Sequence, residues 1–249
     1  MKTKRYFCEK FNFMKFVKNT VLFFLTFSLF IQCKKEIQPE TKSGVKNEIT
    51  YAKGLEIYKY EGYTIVKITK PWPGAKENFI YVLQEKNGII PDSLTQLTIV
   101  PIPLQSIVVT STTHIPALEM LGVENTLVGF PNTDYISSEK TRKLIDVGKV
   151  REVGTNETLN TEVLIDMAPD LIVSFGLNNS NPTIDVLQKS GLKVIYNGDW
   201  TEQSPLGKAE WIKFFGALYG LDAKANTIFS EIEKEYINTL ALAKKATSK

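Results

Sequence analysis

The run Ser111-Thr112-Thr113-His114 places three hydroxyl groups directly before the only histidine of the chain. An imidazole can bind a metal ion or the iron of a haem, and a serine beside a histidine also occurs in hydrolase triads. The triad is the weaker hypothesis, because the sequence contains no G-x-S-x-G segment. The plain alternative is that His114 makes ordinary polar contacts at the start of a helix. A zinc centre of four His and Cys ligands is all but excluded by one His and two Cys.

Two aromatic residues, Tyr135 and Trp200, stand in polar loops where they can stack on a large flat ligand. Each follows a short apolar run of the sequence. Aromatic rings at such positions suit a corrin, a porphyrin or a catechol chelate. The alternative is that either ring only covers the edge of a sheet.

The elements that must position these residues are four short apolar runs, at 106–110, 126–130, 171–175 and 193–196. Segments with helical spacing separate them, which predicts an α/β fold with a mainly parallel sheet flanked by helices. In such a sheet the loops that follow the strands meet at one edge, where ligands bind. We therefore expect one ligand-binding surface built from these loop residues: Ser111, Thr112, Thr113, His114, Tyr135 and Trp200.

Two stretches before this region, 58–69 and 78–84, are rich in β-branched and aromatic residues and predict an N-terminal β-hairpin extension. The Pro- and Gly-containing segment between them is the connecting loop, and Trp72 is expected to pack within it. The prolines of 88–104 limit that segment to an edge strand or irregular structure.

The chain is predicted to be helical after Pro205, with an interruption at Gly220. Asp222 is expected to cap a long helix over 223–246. Trp211 lies at helical spacing with Phe214 and Phe215, which predicts that it is a core residue. Every fourth position of the long helix is apolar, so this stripe needs a partner: Ile228, Ile232, Tyr236 and Leu240.

The first 32 residues predict a lipoprotein signal peptide. Six basic residues in 1–18 precede the uncharged run 19–32, which is shorter than the roughly 20 apolar residues of a membrane-spanning helix. The residues 29–33 resemble a bacterial lipobox, so Cys33 is expected to become the lipidated first residue. The alternative is a signal anchor with an incidental cysteine. The polar residues 33–54 are predicted to be a flexible tether.

The net charge of +3 comes from this N-terminal segment. From Cys33 onward the chain carries 24 basic and 26 acidic residues. A nucleic-acid-binding domain needs a basic patch on its folded part, and the sequence contains none. Nucleic acid is therefore excluded as a partner.

Four segments together resemble the substrate-binding proteins of ATP-driven importers for iron complexes and cobalamin. The most specific of them is 153–175, in which a polar turn and a helix lead through Ala168-Pro169-Asp170 into a buried strand. The other three segments are 106–130, 191–200 and 204–220. The resemblance covers roughly residues 105–247.

The resemblance implies a lipid-anchored protein of the periplasm or cell surface. Such a protein captures a ferric siderophore, haem or cobalamin and delivers it to the permease of an ABC importer, with no catalytic step and no cofactor of its own. In this family two α/β lobes face each other across a cleft, and a long interdomain helix joins them. The sequence matches a first lobe at 55–205 and a helical connector at 206–249, and the second lobe is expected to be missing. On the same ground Glu162 is expected to contact the permease.

Two other classes of function stay open at this point. One is a cell-envelope α/β enzyme of hydrolase type, which predicts a nucleophile and a base at the strand ends. The other is a truncated lipoprotein that binds no ligand. The scarcity of arginine after Cys33, with only Arg142 and Arg151, slightly favours a weakly charged chelate such as cobalamin over an anionic ferric chelate.

Overall fold

The computed structural model describes residues 45–156, 158–176 and 181–246. The predicted signal peptide, Cys33 and the first part of the predicted tether lie outside these residues. Within the described ranges, no helix combines the length and the apolar character that crossing a membrane requires.

The N-terminal extension is a sheet of four strands rather than a hairpin. Its members are β1 (Leu55–Tyr60), β2 (Tyr63–Ile68), β3 (Phe79–Glu85) and β4 (Thr98–Ile102), in that spatial order. The first three strands pair antiparallel, and β4 pairs parallel with β3. Strand β4 lies at the edge of this sheet, as predicted for a segment that contains a proline, here Pro101.

The predicted strand 58–69 is wrong as a single element, because the chain reverses between β1 and β2. Tyr60 pairs with Tyr63, so Glu61 and Gly62 form a two-residue turn. Gly62 has a φ of 80°, which glycine adopts without strain. The continuous β-rich composition on both sides concealed this turn.

The central sheet contains five strands, all paired parallel. They are β5 (Ile107–Val109), β6 (Leu127–Phe130), β7 (Arg151–Glu152), β8 (Leu171–Phe175) and β9 (Val194–Asn197), in the order β7-β6-β5-β8-β9. The four predicted strands and their parallel pairing are confirmed. The short strand β7 was not predicted, because both of its residues are charged and exposed.

Seven helices follow or separate these strands in the described residues. They are α1 (His114–Leu121), α2 (Glu139–Asp146), α3 (Thr161–Met167), α4 (Pro182–Lys189), α5 (Pro205–Glu210), α6 (Ile212–Tyr219) and α7 (Asp222–Lys245). Local sequence explains where four of them begin, because a Ser or Asn side chain caps α2, α3, α4 and α5. At α4, for example, the Asn181 side chain accepts hydrogen bonds from the N–H groups of Thr183 and Ile184, and Pro182 takes the first helical position.

Both faces of the central sheet are buried, as the apolar runs predicted. On one face Ile107, Val109 and Leu171 pack in a large core that includes α1, α6 and the N-terminal sheet. On the other face Val108 and Ile172 belong to a smaller core that includes residues of α3 and α4. Three aromatic residues of the α5–α6 region lie in the large core, as expected: Trp211, Phe214 and Phe215.

The last residues of the predicted tether are part of the folded domain, so that boundary is wrong. Ile49 and Ala52 are buried in the large core. The carboxylate of Glu210 accepts hydrogen bonds from the backbone N–H groups of Thr50, Tyr51 and Ala52, at 3.0, 2.6 and 2.9 Å. The polar composition of this segment gave no sign of such a long-range contact.

The long helix α7 packs through its first turns only. Ala225 and Phe229 are buried, whereas Leu240 is 42% exposed. Asp222 is the first helical residue rather than the cap, and its carboxylate pairs with Lys59 at 2.9 Å. The described residues therefore leave the second half of the predicted apolar stripe uncovered.

Candidate functional site

The loops that follow β5, β6 and β9 lie at one edge of the central sheet, because all its strands run parallel. This carboxyl edge carries every predicted ligand-binding residue. Neighbouring strands lie about 4.8 Å apart, so β6 and β9, three steps apart in the sheet, are separated by about 14 Å. The edge is wide enough to span a large flat ligand.

A turn of hydroxyl residues follows β5. The Ser111 Oγ lies 2.8 Å from the Thr113 Oγ1 and also accepts a hydrogen bond from the Thr113 N–H at 3.3 Å. Thr112 and Thr113 are exposed. These hydroxyl groups can donate to or accept from the polar groups of a ligand.

His114 begins α1 directly after this turn, but it does not reach the surface. Its side chain is fully buried, and its ring centroid lies 5.5 Å from that of Phe215. Burial lowers the pKa of His114, against the opposing effects of the Asp199 carboxylate and the Asn197 side chain. In this conformation the ring is below the surface that a ligand would touch. The expectation that His114 faces the ligand therefore does not match its position, because α6 covers the ring.

The contacts of Ser111 and His114 also show how well this edge is arranged for metal binding or for hydrolysis. The Ser111 hydroxyl hydrogen-bonds to the Thr113 hydroxyl rather than to the His114 ring, and His114 meets Ser111 only through a backbone N–H···O=C bond of 3.1 Å. Across the described ranges, no three His, Cys, Asp or Glu side chains come together in a way that could hold a metal ion. The hydroxyl turn is thus arranged for hydrogen bonding at the surface.

Tyr135 is the most exposed aromatic residue of the edge, at 69%. It lies in a 3₁₀ turn, Thr133–Tyr135, directly after β6. Two contacts fix the turn: the Arg142 Nη1 donates to the Thr133 carbonyl at 2.9 Å, and the Thr133 hydroxyl donates to Glu152 at 2.8 Å. Because the turn is fixed, its backbone loses little conformational entropy when the Tyr135 ring meets a flat ligand.

Trp200 lies at the other end of the edge, in the 3₁₀ turn Asp199–Thr201 after β9. Its side chain is half-buried, and its indole Nε1 is buried with no hydrogen-bond partner in the described structure. The Thr201 hydroxyl donates to the carbonyl of Lys70 at 3.1 Å. This turn is therefore bound to the N-terminal extension.

Residues 69–78, which we call the Trp72 loop, join β2 to β3 and cover the ends of β8 and β9. Trp72 is 4% exposed, and its ring centroid lies 5.4 Å from that of Tyr196 on β9. A Cβ atom on Gly176 would collide with the Trp72 ring, and one on Gly198 would collide with the carbonyl of Lys70. The sequence analysis predicted that Trp72 packs within its own loop. The structure shows that it also packs on the central sheet.

The carboxyl edge consequently has two parts. We call the ends of β8 and β9, under the Trp72 loop, the covered half. We call the ends of β5 and β6, with the hydroxyl turn and Tyr135, the open half. Trp200 belongs to the covered half, but its side chain is only half-buried, so its exposed part is accessible to a ligand.

Asn197 and Asp199 are polar residues of this edge that were not predicted to bind the ligand, although they belong to the loop that carries Trp200. Asn197 is fully buried and Asp199 is 8% exposed. The Asn197 Oδ1 accepts a hydrogen bond from the Asp199 N–H at 2.9 Å. Polar residues after a strand normally indicate an exposed loop, so their burial was not predictable from local pattern.

Glu162 lies in the first turn of α3 and is exposed. The preceding Asn160 caps this helix by accepting a hydrogen bond from the Val163 N–H at 3.1 Å. The carboxylate is therefore accessible to another protein, and the permease contact stays a prediction.

Known proteins share this architecture. The family model of the periplasmic binding proteins matches residues 107–249. Two lipoproteins of Methanocaldococcus jannaschii are 29% and 22% identical to this chain over 86% and 81% of its length. The matches cover 54% and 53% of those proteins, so the chain spans about half the length of these relatives.

One similar solved structure is a periplasmic heme binding protein from Pseudomonas aeruginosa. It is 19% identical, with 58% of this chain and 50% of that chain covered, at a TM-score of 0.45. The family assignment does not depend on it, because the family model itself matches more than half of the 249 residues. By that match, and with the parallel sheet and long C-terminal helix in agreement, the chain belongs to the periplasmic binding protein family.

Proposed function

We propose that this chain is part of a substrate-binding lipoprotein that captures a metal chelate and presents it to the permease of an ABC importer. The chelate is a ferric siderophore, haem or cobalamin, and the protein performs binding without a catalytic step. Membership of the periplasmic binding protein family supports the binding role, and the lipoprotein relatives support a position outside the cytoplasm.

The open half of the carboxyl edge is the observation that carries the proposal. Tyr135 is exposed although two hydrogen bonds and an ion-paired arginine hold its turn in place. The hydroxyl turn at Ser111–Thr113 follows β5, the neighbour of β6 in the sheet, and neighbouring strands lie about 4.8 Å apart. A flat ring beside a row of hydroxyl groups suits a ligand with a planar face and a polar rim.

The competing enzymatic function has less support. A hydrolase needs a nucleophile within hydrogen-bond reach of a base. Here the Ser111 hydroxyl engages Thr113, and His114 lies buried against Phe215. The arrangement therefore favours ligand binding over acyl transfer.

Two further parts of the proposal concern the attachment of the protein. Cys33 carries a lipid that anchors the chain in the periplasm or at the cell surface, and the exposed Glu162 contacts the permease. The motif at 29–33 supports the first and the exposure of Glu162 supports the second. Mass spectrometry of the membrane-extracted protein tests the anchor: acyl groups on Cys33 are expected, and an intact Met1 would contradict it.

The binding role is tested by tryptophan fluorescence titration with haemin, cyanocobalamin and several ferric siderophores. We expect saturable quenching by at least one of them. Tyr135→Ala and Trp200→Ala should each weaken its binding by about 5- to 150-fold, which corresponds to about 1–3 kcal/mol for a buried aromatic anchor.

The matched control is Tyr236→Ala, which removes a tyrosine on α7 that is 37% exposed and lies outside the carboxyl-edge loops. It should leave the affinity unchanged. Melting temperatures of all variants separate lost binding from lost stability. The site is wrong if both edge variants keep full affinity and full stability, and the function is wrong if no chelate binds.

A further inference from the structure

A buried polar cluster, formed by His114, Asn197 and Asp199, lies beneath the carboxyl edge. Its residues are at most 8% exposed. Four of its side-chain atoms have no hydrogen-bond partner within 3.5 Å in the described structure: His114 Nδ1 and Nε2, Asn197 Nδ2 and Asp199 Oδ1. The Asn197 side chain nevertheless lies close enough to His114 to favour its charged form. Buried polar atoms are nearly always paired in folded proteins, so four unpaired atoms in one place suggest a second arrangement.

The cluster connects two of the ligand loops from below. His114 directly follows the hydroxyl turn, and Asp199 begins the 3₁₀ turn that carries Trp200. The Asp199 N–H already donates to Asn197 at 2.9 Å. The charge of Asp199 acts on the His114 ring, so a change in the charge of that ring would act on the start of the Trp200 turn.

The surroundings of His114 contain one charged group that acts on it, Asp199. The neighbouring strands β5 and β8 carry no titratable side chains. On α6 the ring of Phe215 faces His114, and the charged Lys213 of that helix pairs with Glu210 at 2.9 Å. On α1 itself, Glu119 accepts hydrogen bonds from Ser138 and Thr141.

We infer that His114 is a positioning residue whose protonation loosens the Trp200 turn and so weakens ligand binding at low pH. A buried imidazolium draws the Asp199 carboxylate towards itself and pulls at the start of that turn. A ligand that needs the Trp200 turn in its present position would bind the protein with neutral His114 more tightly than the protein with charged His114. Proton uptake and ligand binding then oppose each other, and the ligand is released on acidification.

The pH window follows from the direction of the pKa shift. Burial lowers the pKa of His114 below its usual value of 6.5, although Asp199 and Asn197 act in the opposite direction. The unfolded chain therefore takes up this proton first, and stability falls as the pH drops below about 6.5 until it passes the folded-state pKa. No other histidine of the chain titrates in this window.

The test uses the protein without ligand. The single imidazole gives one set of NMR signals, and its midpoint should lie below 6.5. Asp199→Asn should move the midpoint further down, because it removes the group that favours the charged ring. The protection of the backbone amides at 198–201, taken as the intrinsic exchange rate divided by the observed rate, should fall as the pH approaches this midpoint in the wild type and stay constant in His114→Gln. A midpoint at or above 6.5, or the same exchange profile in both proteins, would overturn the inference.

The effect on affinity rests on the proposed function and is measured separately. With whichever of haemin, cyanocobalamin or ferric siderophore binds, the affinity of the wild type should fall by up to tenfold per pH unit below the His114 midpoint measured by NMR, which lies below 6.5. In His114→Gln it should stay constant. If no chelate binds at any pH, the proposed function fails while the NMR and exchange data still decide the role of His114. If a chelate binds with the same pH profile in both proteins, the coupling to the ligand is wrong.

Discussion

The two halves of the carboxyl edge share one sheet and one strand direction, yet they differ in what lies above them. In the covered half Trp72 is 4% exposed against Tyr196 and Gly176. In the open half Tyr135 is 69% exposed. The topology of a parallel sheet brings the loops to one edge, but the N-terminal extension decides which part of that edge a ligand can reach.

Long-range contacts of carboxylates hold the extension in place. Glu202 accepts hydrogen bonds from the N–H groups of Lys53 and Gly54, both at 2.8 Å, just before β1 begins. At the other side of the extension, the Tyr196 N–H on the free edge of β9 donates to the hydroxyl of Tyr81 at 3.0 Å. These contacts make the extension an integral part of the domain, which blunts the edge of β9 as well.

The largest expected effect separates the two halves directly. Trp72→Ala should lower the free energy of unfolding by about 3–5 kcal/mol, because it empties a filled position between two sheets. Tyr135→Ala should change it by less than about 0.5 kcal/mol, because the ring contributes little buried surface. Urea denaturation of both variants measures the contrast. Equal losses in the two variants would mean that the halves do not differ in packing.

The sequence predicted the central sheet because each strand is a short apolar run that is buried on both faces. The apolar runs at 106–110 and 171–175 indicated burial on both faces, and the helical segments that alternate with such runs indicated the parallel direction. The exposure of Tyr135 was predictable for a similar reason, since it stands among polar residues after such a run. These inferences used only neighbours in sequence.

The covered half and the burial of His114 depend on partners far away in the chain. Trp72 meets Gly176 across more than a hundred residues, and α6 closes over His114 with Phe215. A polar run before a helix has the same local pattern whether the helix start is open or covered. The sequence did contain one sign of the covered half, the glycines Gly176 and Gly198. A glycine directly after a strand often marks a place where another backbone or ring approaches closely.

Glu210→Gln tests how firmly the extension is held. Burial raises the pKa of the Glu210 carboxyl, but the N–H of Ala52, the Lys213 ammonium and the N–H groups of Thr50 and Tyr51 lower it by more, so the net pKa lies below its usual value. The charged form thus stabilises the fold. The side-chain amide of the variant accepts fewer hydrogen bonds than the carboxylate and carries no charge. The free energy of unfolding of the variant should therefore be about 2–3 kcal/mol lower than that of the wild type at pH 7.

This loss should depend on pH. The contribution of Glu210 is fully present above the unfolded-state pKa of 4.5 and disappears as the pH falls through the lower folded-state pKa. The difference between wild type and Glu210→Gln should therefore shrink below pH 4.5, as measured by urea denaturation across this range. Glu235→Gln, at an exposed position on α7, is the matched control and should match the wild type at every pH. A difference that grows towards low pH would contradict the assigned role.

The smallest effect concerns the contact that closes the covered half. Gly176→Ala should lower the free energy of unfolding by about 1–2 kcal/mol, since the new methyl group must displace the Trp72 ring, and overpacking costs about 1–3 kcal/mol. The reduced freedom of the unfolded chain offsets about 0.4–1 kcal/mol of that cost. In a Trp72→Ala background the ring is gone, so the same change should be neutral or stabilising, and a double-mutant cycle measures the difference. Equal costs in both backgrounds would place the strain elsewhere than between Gly176 and Trp72, and the loop would then cover β8 without touching its end.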